Sequence, residues 1–330
     1  MAGDGAMRAA VSTRYGPPEV VRIREVPTPA VGDRDLLVRV HTATVNRTDC
    51  GFRAGTPFVV RAFSGLMRPK ATILGGEFAG EVDSVGTGVT AFAPGDRVFG
   101  YRESFGAHAG FLAIAEDAAV APIPDGLTFE QVAASTEGSH YALSLMRGAR
   151  IREGQRVLVN GATGAIGSAA VQLLRYLGAR VTAVCDAENV ELVTGLGADR
   201  VIDRSTEDFT QDADTYDVVF DAVGKSSFGR CERLLSPKGI YLSTDFGPPP
   251  TNPVLAVFTP WLGGRKVVFP IPPRHDQREL RWLAGLLAAG SFRPVVDRRY
   301  PLGRIVDAYR FVETGRKIGN VLIDVAEPVA

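Results

Sequence analysis

Three glycines spaced three residues apart stand in the stretch "VLVNGATGAIGSAAVQLLRYLGARVTAVCDAEN", residues 157–189. Gly161, Gly164 and Gly167 follow a run of β-branched residues and open a run with helical spacing. In such a turn the first glycine permits a sharp bend, the second lets backbone approach a pyrophosphate, and the third lets helix and strand pack closely. The helix N-terminus then offers N–H groups and partial positive charge to the anion. Glycine is also common in such turns for its backbone freedom alone, but a second strand followed by acidic Asp186, at about the expected 20 residues, favours a dinucleotide site.

The acidic residue after the second strand bears on which dinucleotide binds. Asp186 is placed to accept hydrogen bonds from the adenosine ribose and to repel a 2′-phosphate, which favours NADH over NADPH. Arg200 and Arg204, placed after the third strand, offer a cation to a 2′-phosphate and act in the opposite direction. A purely local role is the alternative for Asp186, because an acidic residue is favourable in the first turn of a helix. We therefore expect NAD(P)H as cofactor, with NADH favoured.

The elements around this turn divide the chain into two domains. The N-terminal part consists of short β-branched runs separated by Gly, Pro and Asp, which indicates a compact β-barrel-like domain. Thr128 and Gln131 form a capping-box pattern that opens an apolar helix, so the first boundary is placed near Asp125. Beyond it, near-continuous apolar strands alternate with helices, as in a parallel sheet covered on both faces. We predict an α/β protein with a β domain in residues 1–125, a doubly wound parallel-sheet domain in 126–272, and a return to the first domain in 273–330.

Composition restricts the class of partner. Lysine plus arginine and aspartate plus glutamate each number 37, so no net charge attracts nucleic acid or an anionic membrane. The cysteines, Cys50, Cys185 and Cys231, are widely spaced and predict neither a disulfide framework nor a metal site. No stretch reaches the roughly 18 apolar residues that span a bilayer, and the N-terminus lacks the apolar core of a signal peptide. We expect a cytoplasmic protein that acts on a small molecule, with no nucleic-acid or membrane partner.

A series of motifs runs in a fixed order along nearly the whole chain: "MRAAVSTRYGPPEVVRIREVPTP", "GGEFAGEVDSVGTGVTAFAPGDRVFG", the glycine turn, "GADRVID" and "GRKIGNVLIDV". In this combination they resemble the medium-chain dehydrogenase/reductases, and within them the zinc-independent quinone-oxidoreductase-like branch. The resemblance implies a GroES-like β-barrel catalytic domain made from both chain ends and a Rossmann-type domain between them. It agrees with the boundaries drawn from the strand and helix patterns.

The resemblance also bears on zinc. In zinc-containing relatives a cysteine follows the segment matching "TATV", and a histidine separates Gly from Glu in the segment matching "GGE"; Asn46 and Gly76 stand at those positions here. The four-cysteine lobe of the zinc relatives is also missing. Catalytic zinc needs three protein ligands and an open position, so we predict no metal. The remaining histidines, which show no metal-ligand spacing, are His41, His108, His140 and His275.

The resemblance implies catalytic residues in the segment "TVNRTDCGFRAG". Asn46, Asp49 and Arg53 match family positions that line or frame the nicotinamide end of the site. An active-site role is favoured for Asn46 over a turn-stabilising one, whereas a structural ion pair is an equal alternative for Asp49 and Arg53. Gly51 replaces a tyrosine of some quinone oxidoreductases, which argues against a tyrosine-assisted mechanism from that position. Arg61, Phe63 and Tyr101 are candidates to face substrate, but a solvated arginine and core aromatics are the favoured interpretation.

Cofactor contacts are expected beyond the glycine turn as well. Gly224 follows the fourth strand, where backbone can approach the nicotinamide ribose, and Asn320 matches a family position that contacts cofactor. The predicted cofactor-binding residues are Gly161, Ala162, Thr163, Gly164, Ala165, Ile166, Gly167, Asp186, Asn189, Arg204, Gly224 and Asn320.

Without a Lewis acid, the charge that develops on a ketone oxygen must be met by hydrogen-bond donors alone. Quinones and α,β-unsaturated carbonyls suit such a site, because hydride goes to a conjugated carbon while the charge delocalises onto oxygen. We therefore predict an NAD(P)H-dependent reductase of a quinone or enone. An alcohol dehydrogenase or carbonyl reductase and a non-catalytic cofactor-binding protein are the alternatives. The segment "GGRKVVFPI" resembles an edge strand, which must be paired or protected, and a homodimer is expected because related proteins often pair this strand.

Overall fold

The computed structural model describes residues 5–247, 251–269 and 276–326. Its strands are β1 (Ala6–Val11), β2 (Arg22–Pro27), β3 (Asp35–Val45), β4 (Glu77–Val85), β5 (Arg97–Tyr101), β6 (Phe111–Ala115), β7 (Val120–Pro122), β8 (Arg156–Asn160), β9 (Arg180–Cys185), β10 (Arg200–Asp203), β11 (Tyr216–Asp221), β12 (Leu235–Ser243), β13 (Lys266–Val268), β14 (Val296–Pro301) and β15 (Asn320–Asp324). Its α-helices are α1 (Arg47–Ala54), α2 (Val60–Ser64), α3 (Phe129–Ala149), α4 (Ala165–Tyr176), α5 (Val190–Gly195), α6 (Phe228–Cys231), α7 (Asn252–Phe258), α8 (Gln277–Ala288) and α9 (Ile305–Glu313). Within the described residues, none of these helices is long and apolar enough to cross a bilayer.

The chain forms two compact units. The first holds residues up to 136 together with the C-terminal segment from 276, and the second holds the described residues between them. The division falls inside α3, whereas the sequence placed it at 125. The predicted capping box does begin this helix: the Thr128 N–H donates to Gln131 Oε1 at 2.9 Å, and the Gln131 N–H donates to Thr128 Oγ1 at 3.3 Å. The second expected boundary, at 272/273, lies outside the described residues.

A parallel sheet forms the centre of the second unit. Its strand order is β10-β9-β8-β11-β12-β13, and every neighbouring pair is parallel. Numbered within the unit this is the order 3-2-1-4-5-6 of dinucleotide-binding folds, and it reverses between β8 and β11. Fully buried Leu158, Val159, Val219 and Phe220 lie on those two strands, as expected for a sheet covered on both faces. The predicted doubly wound domain is confirmed.

A mostly antiparallel sheet forms the first unit. Its order is β14-β15-β3-β4-β5-β7, with β6 also paired to β3, and only β14 and β15 run parallel. The C-terminal strand β15 therefore lies against β3, with Val321 opposite Val45. The core contains Leu36, Phe78 and Leu112, which are almost completely buried. The β-rich fold predicted for both chain ends is thus present.

Candidate functional site

The glycine turn in the second unit is held by two close approaches that exclude side chains. Gly161 follows β8 with φ +80°, and a Cβ there would lie 2.4 Å from Val223 Cγ1. A Cβ on Gly167, in the first turn of α4, would lie 2.0 Å from the Gly161 carbonyl oxygen. Real Cβ atoms do not approach other atoms so closely, so both positions require glycine. Helix α4 is therefore packed directly against the turn, as the sequence predicted for the third glycine.

The middle glycine is open instead of crowded. Gly164 is the N-cap of α4, with extended backbone (φ −70°, ψ 171°) and no side chain to cap the helix. A Cβ there would meet nothing nearer than the Gly161 oxygen at 3.8 Å. The first helical residues are Ala165, Ile166 and Gly167, and N–H groups in a first turn have no partner within the helix. This arrangement fits a pyrophosphate, which would use these N–H groups and the positive end of the helix.

The other predicted residues of the turn have more local roles. The Ala162 N–H donates to the Val184 carbonyl at 3.1 Å, so it ties the turn to β9. Thr163 is half-buried at the bend. Sequence reasoning missed Gly138 in α3, whose Cβ would lie 2.5 Å from the Ala165 carbonyl oxygen. A glycine in the middle of a helix was the available signal, because glycine there costs stability unless close packing requires it.

The residues predicted for the adenosine ribose are paired with each other. Arg204 Nε and Nη2 each donate to one oxygen of Asp186 at 2.7 Å, so the pair is bidentate. Both side chains remain accessible, with 55% and 40% of their surface exposed. Arg200 points to other partners, since its guanidinium is bound by Asp212 and Asp214 at 2.9 Å. The two arginines considered for a 2′-phosphate are thus separated, and only Arg204 lies beside Asp186.

A cavity of about 350 Å³ adjoins this pair in the second unit. The loop that follows β10 lines this cavity and is shaped by Asp203. The Asp203 carboxylate accepts from the Ser205 N–H at 2.9 Å and from the Ser205 hydroxyl at 2.7 Å. These hydrogen bonds hold the pKa of Asp203 below its usual value, and the one from the Ser205 backbone N–H has the largest effect. Asn189, also predicted for cofactor, is buried and donates its N–H to the Asp186 carbonyl at 2.9 Å. The cavity is lined by Arg204, Ser205, Thr206, Glu207, Asp208 and Phe209.

A buried carboxylate organises the place where the strand order reverses. Asp221 ends β11 with none of its surface exposed, and it accepts from Asn160 Nδ2 at 3.0 Å, from the Tyr241 hydroxyl at 3.0 Å and from the Gly224 N–H at 3.1 Å. It therefore joins the ends of β8, β11 and β12. Gly224 has φ +65°, and its Cβ would lie 2.2 Å from Asp245 Cβ, so this predicted cofactor position is also restricted to glycine. Sequence reasoning missed Asp221, although an acidic residue that ends an apolar strand was a visible signal.

In the first unit, Asn46 and Asp49 form a capping box at the start of α1. Asn46 Oδ1 accepts from the Asp49 N–H at 2.9 Å, and Asp49 Oδ2 accepts from the Asn46 N–H at 3.1 Å. The second oxygen of Asp49 accepts from the Gly75 N–H at 3.0 Å. Both residues are buried. The side chain of Asp49 is therefore committed to backbone N–H groups.

The amide of Asn46 is fixed from its other end by Glu77. Asn46 Nδ2 donates to Glu77 Oε2 at 3.2 Å, and the Thr44 hydroxyl donates to the same oxygen. Glu77 is completely buried. These contacts set the orientation of an amide that still has a second N–H to donate.

The sequence left open an ion pair between Asp49 and Arg53, but the two side chains do not pair in the structure. The Arg53 guanidinium binds the Glu313 carboxylate, donates to the Gly16 carbonyl and lies 5.2 Å from the centre of the Tyr309 ring. The side chain is almost fully buried. The reason for the difference is that the capping box and Gly75 already occupy the carboxylate of Asp49.

Asn320 begins β15 in the first unit and is also held locally. Its N–H and its Nδ2 donate to the Val295 carbonyl at 2.8 and 3.0 Å. Together with Asn46, Asp49 and Arg53 it belongs to the first unit, whereas the other predicted cofactor residues belong to the second.

The positions that match zinc ligands are filled by other groups. A Cβ on Gly76 would lie 2.7 Å from Tyr101 Cε2 and 2.8 Å from its Cζ, so the tyrosine ring takes the space that a side chain at residue 76 would need. Asn46 is engaged by Asp49 and Glu77. Across residues 5–247, 251–269 and 276–326, no group of three or more His, Cys, Asp and Glu side chains is arranged to hold a metal.

Comparison with known proteins gives consistent matches over the chain. One family model, described as the alcohol dehydrogenase GroES-like domain, matches residues 32–125, and a second, described as zinc-binding dehydrogenase, matches residues 196–323. The quinone oxidoreductase of Mus musculus is 30% identical over 97% of this chain and 98% of its own length. The 2-methylene-furan-3-one reductase of Solanum lycopersicum is 29% identical over 96% of this chain and 79% of its own. The solved structure of the quinone oxidoreductase from Coxiella burnetii superimposes with a TM-score of 0.87 at 26% identity, covering 98% of this chain and all of that one.

The buried carboxyl of Asp49 generates a pH prediction. Burial raises its pKa from 3.8 to about 7, although the hydrogen bonds from Asn46 and Gly75 act in the opposite direction. A carboxyl whose pKa is higher in the folded state stabilises the fold fully at acidic pH, and this contribution is lost as pH rises through the folded-state pKa. Between pH 4 and 7 we expect the free energy of unfolding of the wild type to fall relative to Asp49→Asn, by about 2–4 kcal/mol.

Urea denaturation of both proteins at several pH values measures this difference. The pKa of nearby His108 is lowered to about 4 by burial, but His108 is present in both proteins and cancels in the comparison. A difference that stays constant from pH 4 to 8 would show that Asp49 titrates alike in the folded and unfolded chains.

Proposed function

Because the chain belongs to the medium-chain dehydrogenase/reductase superfamily, in its quinone-oxidoreductase-like branch, we propose that it is an NAD(P)H-dependent oxidoreductase that reduces a quinone or an enone without zinc. The observation that carries the proposal is the glycine turn at the point where the strand order reverses. There is free space beside Gly164, whereas neighbouring atoms leave no room for a side chain at Gly161 or Gly167. The names of the two relatives support the substrate class, since one refers to quinones and the other to a methylene-furanone, and both groups are conjugated carbonyls.

The residues of the second unit would hold the cofactor in a defined order. The first-turn N–H groups of α4 would bind the pyrophosphate, Asp186 and Arg204 the adenosine ribose, and the loop at Gly224 the nicotinamide ribose. When bound, the reduced nicotinamide supplies hydride, and the protein contributes orientation and electrostatics. Asp221 fixes the Gly224 loop through its hydrogen bond to the Gly224 N–H. In this proposal each part of the dinucleotide would have its own binding element in the second unit.

Zinc independence is supported by what occupies the ligand positions. The Tyr101 ring fills the space at Gly76, and the Asn46 amide is held between Asp49 and Glu77. The developing charge on a substrate oxygen would then be met by hydrogen-bond donors. A conjugated acceptor spreads this charge, which is the physical reason that a quinone or enone is favoured over an isolated ketone.

Turnover by protein purified without added metal tests the proposal. We expect oxidation of NADH or NADPH with a panel of quinones and enones, zinc well below one equivalent by elemental analysis, and no loss of rate with a chelator. Simple ketones should be poor substrates. Stoichiometric zinc with chelator-sensitive activity would contradict the zinc-independent reading, and cofactor binding without turnover of any panel member would favour the non-catalytic alternative.

We also propose that NADH is favoured over NADPH because Asp186 lies where the ribose hydroxyls are expected. Asp186 forms a bidentate pair with Arg204 at 2.7 Å. The preference between NADH and NADPH therefore depends on two neighbouring charges, of which the carboxylate repels a 2′-phosphate and the guanidinium attracts it. Removal of the carboxylate would both end its repulsion of a 2′-phosphate and free the guanidinium to bind it.

Calorimetric titration with both cofactors measures this balance. Asp186→Ser should improve the affinity for NADPH relative to NADH by about tenfold or more, equivalent to about 1.4 kcal/mol. Arg200→Ala is the matched control, because Arg200 is held by Asp212 and Asp214 and should leave the ratio unchanged. An unchanged ratio in Asp186→Ser would refute the assignment of Asp186 to the ribose.

The homodimer expected from the edge strand stays a prediction. In the described residues β13 pairs with β12 on one side only, and equilibrium sedimentation at micromolar concentration would decide the matter.

A further inference from the structure

A loop of the first unit exposes several large apolar side chains within a short stretch of chain. This segment, which we call the apolar loop, runs from residue 57 to residue 70 and contains the short helix α2. Phe63 is 76% exposed, although the sequence favoured a place in the core for it, and Met67 is 87% exposed. The other exposed members are Phe58, Val59 and Leu66. Single apolar residues are common on protein surfaces, whereas a cluster of them marks an interaction site.

The apolar loop is held in place by Tyr15 and Arg61. The Tyr15 hydroxyl lies 2.7 Å from Ser64 Oγ and donates to the Gly65 carbonyl at 2.5 Å. The Arg61 guanidinium lies 4.7 Å from the centre of the Tyr15 ring, and its Nε donates to the Gly55 carbonyl at 3.1 Å. The apolar side chains are therefore exposed by a loop that is itself tied to the first unit.

The charges of the apolar loop all have the same sign. From residue 50 to residue 76 the chain contains no aspartate or glutamate. Arg68 and Lys70 are exposed, and among residues 5–247, 251–269 and 276–326 no carboxylate forms an ion pair with either of them. Other exposed cations do have such partners, as Arg204 has in Asp186. Positive charge is thus left uncompensated next to the apolar side chains.

An anionic lipid surface matches this combination of groups. Segments that lie at a bilayer surface place Phe and Leu at the boundary between headgroups and acyl chains, while Lys and Arg are attracted to anionic headgroups. Phe63 and Met67 have more than three quarters of their surface exposed, so they protrude from the protein. Protruding side chains can enter a deformable lipid surface, whereas a folded protein partner must offer a well-packed pocket for each of them.

Two other kinds of partner fit these groups less well. In a symmetric contact with a second copy the same patch lies on both subunits, so Arg68 and Lys70 would face their own counterparts, and like charges oppose association. A nucleic acid binds through its phosphates and through bases that stack on planar side chains. Val59, Leu66 and Met67 offer no planar surface.

We propose that the apolar loop docks reversibly on anionic lipid membranes. Phe63 and Met67 enter the headgroup region, and Arg68 and Lys70 bind the phosphates and carboxylates of the headgroups. This inference goes beyond the proposed function and does not depend on it. The sequence predicted no membrane partner because its acidic and basic residues are equal in number. A net charge averages over the whole surface, however, and peripheral docking needs no membrane-spanning helix.

Flotation of the full chain with lipid vesicles tests the proposal. One set of vesicles contains phosphatidylcholine alone, and the other contains phosphatidylcholine and phosphatidylserine at about two to one. We expect the wild type to float with the phosphatidylserine vesicles and to bind the neutral ones at least about tenfold more weakly. Raising the salt concentration from about 0.1 to 0.5 M should release it, because salt screens the attraction.

A first double variant, Phe63→Ser with Met67→Ser, removes apolar surface and keeps every charge. We expect it to bind phosphatidylserine vesicles at least about tenfold more weakly than the wild type, since less apolar area is buried on docking. The melting temperature should not fall, because both side chains are exposed. Val257→Ser with Trp261→Ser is the matched control, since these are exposed apolar residues of the second unit, and it should bind like the wild type.

A second double variant, Arg68→Glu with Lys70→Glu, reverses the charge and keeps the apolar surface. We expect its affinity for phosphatidylserine vesicles to fall by at least about tenfold. Arg152→Glu with Lys238→Glu is the matched control, because it changes the net charge by the same amount at an exposed arginine and an exposed lysine of the second unit. Its affinity should stay within about twofold of the wild type.

Loss of vesicle binding in both loop variants, with both controls close to the wild type, supports the proposal. A wild type that does not bind phosphatidylserine vesicles overturns it, and so does an equal loss in a loop variant and its control. Binding of single-stranded polyuridylate without vesicle binding would instead identify a nucleic-acid surface. Self-association that Phe63→Ser with Met67→Ser abolishes, again without vesicle binding, would identify a contact between copies. NADH binding and enone turnover are measured separately, so a failure of the proposed function leaves these outcomes unchanged.

Discussion

The contact between Gly167 and the carbonyl of Gly161 is the constraint on which the proposed site depends. A Cβ at residue 167 would lie 2.0 Å from that oxygen, so the first turn of α4 approaches the end of β8 at a distance that no side chain allows. This contact places the helix N-terminus at the point where the strand order reverses, which is where doubly wound sheets bind their ligands. Gly138 of α3 adds a second close approach, against Ala165. The backbone itself, more than any side chain, shapes the proposed anion site.

Acidic residues at the carboxyl ends of the strands arrange the surrounding loops. Asp221 joins three strand ends from a fully buried position, and Asp203 folds the loop that lines the cavity after β10. Asp186 is different, because its partner is the side chain of Arg204 and both remain exposed. The carboxylates of Asp221 and Asp203 thus stabilise the fold. The carboxylate of Asp186 can bind a ligand if its ion pair with Arg204 is given up. This division explains why Asp186 is the residue assigned to cofactor selection.

Local patterns in the sequence were sufficient for the parts of the fold that depend on neighbouring residues. The glycine spacing predicted the turn before α4, Thr128 and Gln131 predicted the start of α3, and the apolar runs predicted the parallel sheet. Contacts between distant residues were not predictable in this way. Arg53 pairs with Glu313, 260 positions away, and the Tyr101 ring lies on Gly76 because β4 and β5 pair in a particular register. The contact of Asp49 with the Gly75 N–H and the packing of Tyr101 on Gly76 are likewise between distant residues, so their residue types alone left several alternatives open.

Titration of NADH and NADPH into the wild type and Gly164→Asp tests the central claim most directly. Gly164 has extended backbone and open space, so aspartate fits there, and as an N-cap it should stabilise α4 by about 0.3 kcal/mol relative to glycine. The same carboxylate would occupy the position expected for the pyrophosphate and would repel this anion. We expect the wild type to bind at least one cofactor with micromolar or tighter affinity, and Gly164→Asp to lose about 100-fold or more of this affinity while melting at no lower temperature. Equal cofactor affinity in the two proteins, or no binding by the wild type, would contradict it.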